Sequence, residues 1–191
     1  MRREQPGDLS TLGTDPEAFE TFYRAHVREI ERFVARRVGD PHVAADLTAD
    51  VFVAVLAQAG QYRPERGSVL AWTYGIARHT VIDHQRRAIR DLRLVGRVSG
   101  RALLDADSLA RVEERLDAER AARELYAAMA RMPDAERAVV ELIALDGLTL
   151  ADVAAVLNIK PVTARVRLHR ARRKLTPGTA PVLAQLLEVT A

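Results

Sequence analysis

The sequence predicts an all-α fold of two small helical domains joined by a flexible linker. Three observations lead there. Ala, Leu, Val and Arg dominate a chain with only 5% aromatic residues, a composition that favours helices. Apolar residues recur at helical spacing in one segment after another, and no stretch shows the alternating pattern of a half-buried strand. Gly, Pro and Asx residues punctuate those segments, and residues 93–108 hold Arg, Gly, Ser and Asp with no clear period, as a linker does. At 191 residues and 48% hydrophobic, the chain suits one or two small domains with a real core.

Residues 1–14 have no apolar signal core and are expected to be disordered. The first domain spans 15–92. Asp15-Pro16 reads as a helix start. Phe19, Phe22, Tyr23, His26, Val27, Ile30, Phe33 and Val34 then form a stripe that ends at Gly39-Asp40. On that stripe His26 reads as a packed core or boundary histidine rather than a ligand. Asp40-Pro41 opens a second helix to about Ala59, with Val43, Leu47, Val51, Val55 and Leu56 on one face. Asp46 and Asp50 are four apart and share another face. Such a pair could hold a metal, but no Glu-x-x-His accompanies it, which favours a solvated or protein-binding face. Residues 60–67 form a loop by their Gly and Pro content.

The third helix, about 68–92, contains AWTYGIARHTVIDHQRRAIR. Val69, Trp72, Ile76 and Ile82 can pack inward, leaving Tyr74, Arg78, His79, Arg86, Arg87 and Arg90 for other faces. Aromatic rings beside arginines suit single-stranded nucleic acid, which asks for base stacking and phosphate neutralisation together. Trp72 fits core and stacking roles equally.

After the linker at 93–108, the second domain spans 109–178. A helix from about Leu109 to Arg131 carries Leu109, Val112, Leu116, Leu125 and Met129. Pro133 restarts the chain, and DAERAVVELIAL is amphipathic up to Asp146-Gly147, a usual helix end. Residues 148–175 read as two helices joined by a tight turn. Thr149 and Asp152 make a capping-box-like start. Val153, Val156 and Leu157 form a stripe, and Ala154 is small where helices cross. Asn158 tolerates a left-handed turn, and Pro161 suits the first turn of the next helix. On that helix Val162, Val166 and Leu168 are expected to face inward, leaving Lys160, Thr163, Arg165, Arg167, Arg170, Arg172, Arg173 and Lys174 outside. No acidic residue lies between Asp152 and Glu188. A charge run alone reads equally as a solvated face. On the second helix of a helix-turn-helix it points to DNA, because cations neutralise phosphates and the helix start reaches base edges. In the tail, 179–191, the piece Val182 to Leu187 is expected to pack back.

Several function classes fall away. There is no cysteine, so no disulfide, Cys-ligated zinc or thiol nucleophile. The five histidines (26, 42, 79, 84, 169) lack metal-ligand spacing, and neither a nucleophile motif nor a Gly-rich phosphate loop is present. The expectation is a non-enzyme without cofactor or metal. No apolar run approaches the ~20 residues of a membrane span, so a cytoplasmic protein without membrane insertion is expected. The pI near 9.7 points to a polyanion partner.

Taken together, DLTADVFVAVL (46–56), AWTYGIARHTVIDHQRR (71–87), RMPDAERAVVELIALDGLTLADVAAVLNI (131–159) and TARVRLHRARRKL (163–175) resemble, in that order, the extracytoplasmic-function (ECF) sigma factors of bacterial RNA polymerase. The resemblance runs from Glu17 to Leu175. It implies a sigma-2-like helical bundle and a sigma-4-like helix-turn-helix domain that direct promoter-specific initiation. Asp46, Leu47, Asp50, Val51 and Phe52 match the face pressed on the β′ clamp helices of core polymerase. The loop from Tyr62 to Ser68, with Arg63 and Arg66, matches the one that captures a flipped −10 base. Trp72, Tyr74, Arg78, His79, Asp83, Arg86 and Arg87 match the helix beside the melted strand. Lys160, Thr163, Arg165, Arg167 and Arg170 match the helix that reads the −35 duplex. Core polymerase, including its β flap, promoter DNA and an anti-sigma factor are the implied partners. His79, Asn158 and Pro161-Val162 depart from the family's usual Asn, Gly and Val-Gly, which bears on the promoter sequence. The competing reading is a stand-alone helix-turn-helix regulator. It explains 148–175 but leaves the block at 62–90 without a role.

Overall fold

Proline and aspartate set the first two helices. A computed structural model describes Leu9, residues 12–95 and residues 126–174, with backbone alone for 91–95. Helix α1 is Pro16–Ala35; Asp15 Oδ1 accepts from the amides of Glu17 and Ala18 at 3.0 and 3.3 Å. Helix α2 is Pro41–Gln58; Asp40 Oδ1 accepts from His42 and Val43 at 2.8 and 3.3 Å. Each cap satisfies amides that the first turn leaves open, and each proline stands where its missing N–H is harmless. Two 3-10 turns follow, Ala59–Gln61 and Pro64–Arg66, and then helix α3, Val69–Val95. Residues 93–95, expected in the linker, therefore continue α3. The rest of the linker lies outside the described residues.

The chain divides into two compact units, Met1–Leu104 and Asp105–Ala191. In the first, α1, α2 and α3 pack against one another. Ile30, Phe33, Val34, Val51 and Val55 are fully buried, each worth roughly 1.5–3 kcal/mol of transfer free energy. Tyr74 packs edge-on against Phe33 at 5.1 Å, and Phe52 meets Phe22 and Tyr23 at 6.1 and 4.7 Å. His26 lies edge-on to Phe22 at 4.8 Å, half-buried, as a boundary histidine. The Arg37 guanidinium covers the Phe33 ring at 3.6 Å, and Gln85 Nε2 donates to the Arg37 carbonyl, tying α3 to the end of α1.

Two expectations need correction here. Leu9 and Leu12, inside the segment expected to be disordered, are buried; residues 1–8, 10 and 11 of that segment lie outside the described residues. Pro41–Gln61 is also long and apolar enough, by length and composition, to cross a membrane. Its apolar side chains buried against α1 and α3, and the exposed carboxylates of Asp46 and Asp50 along its length, mark the central helix of a bundle.

In the second unit, residues 126–130 are helical, and the rest of the helix expected from Leu109 lies outside the described residues. Helix α4 is Asp134–Ala144, α5 is Leu150–Val156 and α6 is Pro161–Lys174. Gly147 ends α4 at φ 68°, a left-handed conformation that glycine adopts without Cβ strain. Thr149 caps α5: its Oγ1 accepts from Asp152 N at 3.1 Å and donates to Asp152 Oδ2 at 2.7 Å. Asn158 takes φ 51° in the turn before α6. Val139, Val140, Leu142, Val153 and Ala154 form the core. No strand occurs among the described residues. The tail beyond Lys174 lies outside them.

Candidate nucleic-acid interface

Helix α6 sits on α4 and α5 through alanines. Ala164 and Ala171, seven apart, are its two fully buried residues. Val162 and Val166, expected inside, are 65% and 43% exposed, and Leu168 is half-buried. The cause is close helix approach: a small side chain on the packed face brings the backbones together, so that stripe goes to alanine and the bulkier valines turn outward. Lys160, Arg165 and Arg170 are exposed, whereas Thr163 and Arg167 are half-buried at the flank. At the far end, Lys174 Nζ donates to Glu136 Oε2 at 2.7 Å. Glu136 is buried, so this half-exposed lysine acts as its counterion and anchors α6 to the first turn of α4.

In the first unit, the loop after α2 is closed on itself. Tyr62 donates its hydroxyl to the Gly67 carbonyl at 3.1 Å. Arg63 Nη1 donates to the carbonyls of Gly60 and Tyr62 at 3.0 and 2.9 Å. Gly67 holds φ 142°, open to glycine and strained for other residues. The Tyr62 ring leans on Trp72, centroids 5.6 Å apart. Burial, with Glu65 adding, raises the Tyr62 phenol above its ordinary value, so it stays a neutral donor. Arg66 is exposed in the second 3-10 turn.

Along α3, Trp72 is half-buried and His79, Asp83, Arg86 and Arg87 are exposed. His79 Nδ1 lies 2.7 Å from the Gly75 carbonyl, and Asp83 pairs loosely with Arg86 at 3.7 Å. Tyr74 is displaced from the expected set: it is 2% exposed, locked against Phe33, because the helical turn carries it to the core side. Arg78 is half-buried on that same side.

The expected polymerase-facing set also divides. Leu47, Val51 and Phe52 are buried within the bundle, Leu47 at the floor of the groove described next. Asp46 and Asp50 remain exposed. They line a groove of about 540 Å³ between α2 and α3, together with His79, Asp83, His84 and Arg87. Two sets that the sequence suggested were separate faces thus share one groove. His84, which the sequence reading placed in no binding set, also lines this groove, five residues after His79 and one after Asp83.

Comparison with known proteins follows the same division. Residues 22–90 match the family described as Sigma-70 region 2, and residues 122–175 match Sigma-70, region 4. The chain is 32% identical over 173 residues to the probable RNA polymerase sigma-C factor of Mycobacterium bovis, covering 91% of this chain and 89% of that protein. It is 29% identical to the ECF RNA polymerase sigma factor SigE of Mycolicibacterium smegmatis over 83% of this chain, and spans 60% of that protein's length. Among solved structures, it shares its fold with the sigma factor RpoE of Bartonella quintana, solved in complex with the anti-sigma factor NepR. The TM-score is 0.62 at 18% identity, covering 92% of this chain and 99% of that one. It also shares its fold with CnrH, solved with the cytosolic domain of CnrY, at a TM-score of 0.55 and 22% identity over 96% and 97% of the two chains.

Proposed function

The chain belongs to the ECF group of the sigma-70 family of RNA polymerase sigma factors, a family of transcription initiation factors, and from that premise we propose how its two units divide promoter recognition. The stand-alone regulator is set aside, because the first unit matches Sigma-70 region 2 and has a role there.

The second unit grips the −35 duplex through α6. The observation that carries this assignment is the orientation of that helix: alanines on the bundle, and Lys160, Arg165 and Arg170 in solvent. Cations so placed neutralise phosphates and reach base edges, each good bidentate base contact giving about 1–3 kcal/mol of discrimination. The first unit holds the non-template strand of the −10 element once it unstacks. Extruding a base costs on the order of a few kcal/mol, offset by the pocket that receives it. The closed loop at Tyr62–Ser68, braced on Trp72, supports that role. Trp72, His79, Asp83, Arg86 and Arg87 flank it along α3, while Tyr74 supports it from the core through its contact with Phe33.

Asp46 and Asp50 offer carboxylates to a basic surface on the clamp of core polymerase. The RpoE relative was solved with an anti-sigma factor. A comparable partner of this chain would fill the groove between α2 and α3 and mask the same carboxylates. The protein itself performs no chemistry. It lends specificity to the polymerase in the cytoplasm, and tethering both units to one enzyme raises their effective concentration so that weak sites suffice.

The test is reconstitution with core polymerase and mapping of start sites. Selective initiation that depends on both promoter elements is expected. A chain that ignores core polymerase in a pull-down, or adds no start-site selectivity, overturns the reading.

A further inference from the structure

Val162 and Val166 are out of place on α6 by every ordinary rule. Both are β-branched, which disfavours an exposed helical position. They stand 65% and 43% exposed on a helix whose buried side is filled by Ala164 and Ala171. One exposed apolar residue means little. These two are four apart and so lie on one stripe, opposite the alanines. Lys160, Arg165, His169, Arg170 and Arg173, all exposed, ring that stripe. A ring of cations and an imidazole around an apolar centre is a poor seat for an apolar protein helix and a good one for a polyanion with a methyl group at its middle.

The major groove of DNA offers that combination. Phosphates border it, and the thymine C5-methyl is its apolar feature, read by apolar side chains. The valines lie in the first two turns of α6, and the start of a recognition helix is where base edges come within reach. We propose that Val162 and Val166 are specificity-determining residues that pack on thymine C5-methyl groups in the −35 duplex, while the surrounding cations hold the backbone. This rests on the reading that α6 enters that groove.

The test uses holoenzyme assembled from the full chain and core polymerase, on a promoter whose start site has been mapped. Each thymine of the −35 element, on either strand, is replaced in turn by deoxyuridine, which removes the methyl and leaves base pairing intact. At one or two positions promoter binding is expected to weaken about three- to fivefold, the loss of one buried methyl. Val162→Ala or Val166→Ala should weaken binding to the natural promoter by a similar factor and be indifferent to deoxyuridine at the matching position. Indifference of the wild type to every replacement, variant and base effects that simply multiply, or a −35 element without an A·T pair overturns the proposal. Scrambling the −35 element and Arg165→Ala are run alongside. If neither lowers binding, the placement of α6 in the groove fails as well; if both do while deoxyuridine is silent, only the valine assignment falls.

Discussion

Exchanging sizes on the two sides of α6 decides its orientation. Ala164 is fully buried against the second unit's core, and Val166 is 43% exposed on the far side. Ala164→Leu adds three carbon atoms to a side chain that is already fully buried. Overpacking of this kind costs about 1–3 kcal/mol. For a domain of this size each kcal/mol moves the midpoint by roughly 4–8 °C, so a fall of about 5–20 °C is expected. Val166→Ala removes partly exposed apolar surface but gains helix propensity of up to about 0.7 kcal/mol. The two nearly cancel, and the net change should stay within about 0.5 kcal/mol, as for most surface substitutions. Thermal unfolding of the full chain by circular dichroism measures both, and amide exchange in α6 assigns the loss to its unit. An orientation set by hydrophobicity alone puts Val166 inside and demands the reverse order. A harmless Ala164→Leu beside a Val166→Ala that loses more than about 1.5 kcal/mol would refute the packing described above.

Other substitutions probe the remaining contacts. Lys174→Met strands the buried Glu136 carboxylate; a loss of about 1–3 kcal/mol is expected, less than for a fully buried pair because the lysine is half exposed, with partial recovery on adding Glu136→Gln, read by denaturant unfolding. Asp46→Arg with Asp50→Arg should lower affinity for core polymerase at least about tenfold in a pull-down or titration while leaving the melting temperature unchanged, since charge complementarity is lost at two exposed positions. Arg165→Ala should reduce run-off transcription from a −35-dependent promoter by about five- to a hundredfold, and Arg167→Ala by less, because Arg167 is half-buried at the flank. The Tyr62 hydroxyl bond to Gly67 should persist through neutral pH: its raised value means the folded loop favours the protonated phenol, so loop stability is full below the ordinary tyrosine value near 10 and declines only as pH rises beyond it. Tyrosine ultraviolet titration checks this, and ionisation below that value would contradict it.

Much of this architecture is legible in the residues. Asp15-Pro16, Asp40-Pro41, Thr149 with Asp152, and Gly147 are local signals, since each acts within one helical turn and needs no tertiary partner. What could not be read is which way a helix turns when both sides carry apolar groups. Val162 and Val166 outweigh Ala164 and Ala171 on any hydrophobicity scale, yet the close approach of α4 and α5 selects the alanines. Tyr74 differs for a related reason: with Val69, Trp72, Ile76 and Ile82 inward, spacing leaves it to another face, while its ring packs edge-on against Phe33. The groove joining Asp46 and Asp50 to His79 and Asp83 depends on how α2 crosses α3, which spacing within either helix does not encode.

The loop cinched between Tyr62 and Gly67 has one more implication. Its shape is settled when the chain folds, long before any promoter arrives. On the −10 role proposed for it, rearrangement during strand opening falls almost wholly on the nucleic acid. Superhelical tension, which weakens base pairing directly, should govern how fast such promoters fire. Crowding agents or osmolytes, whose grip is on protein compaction, would find little left in this loop to tighten.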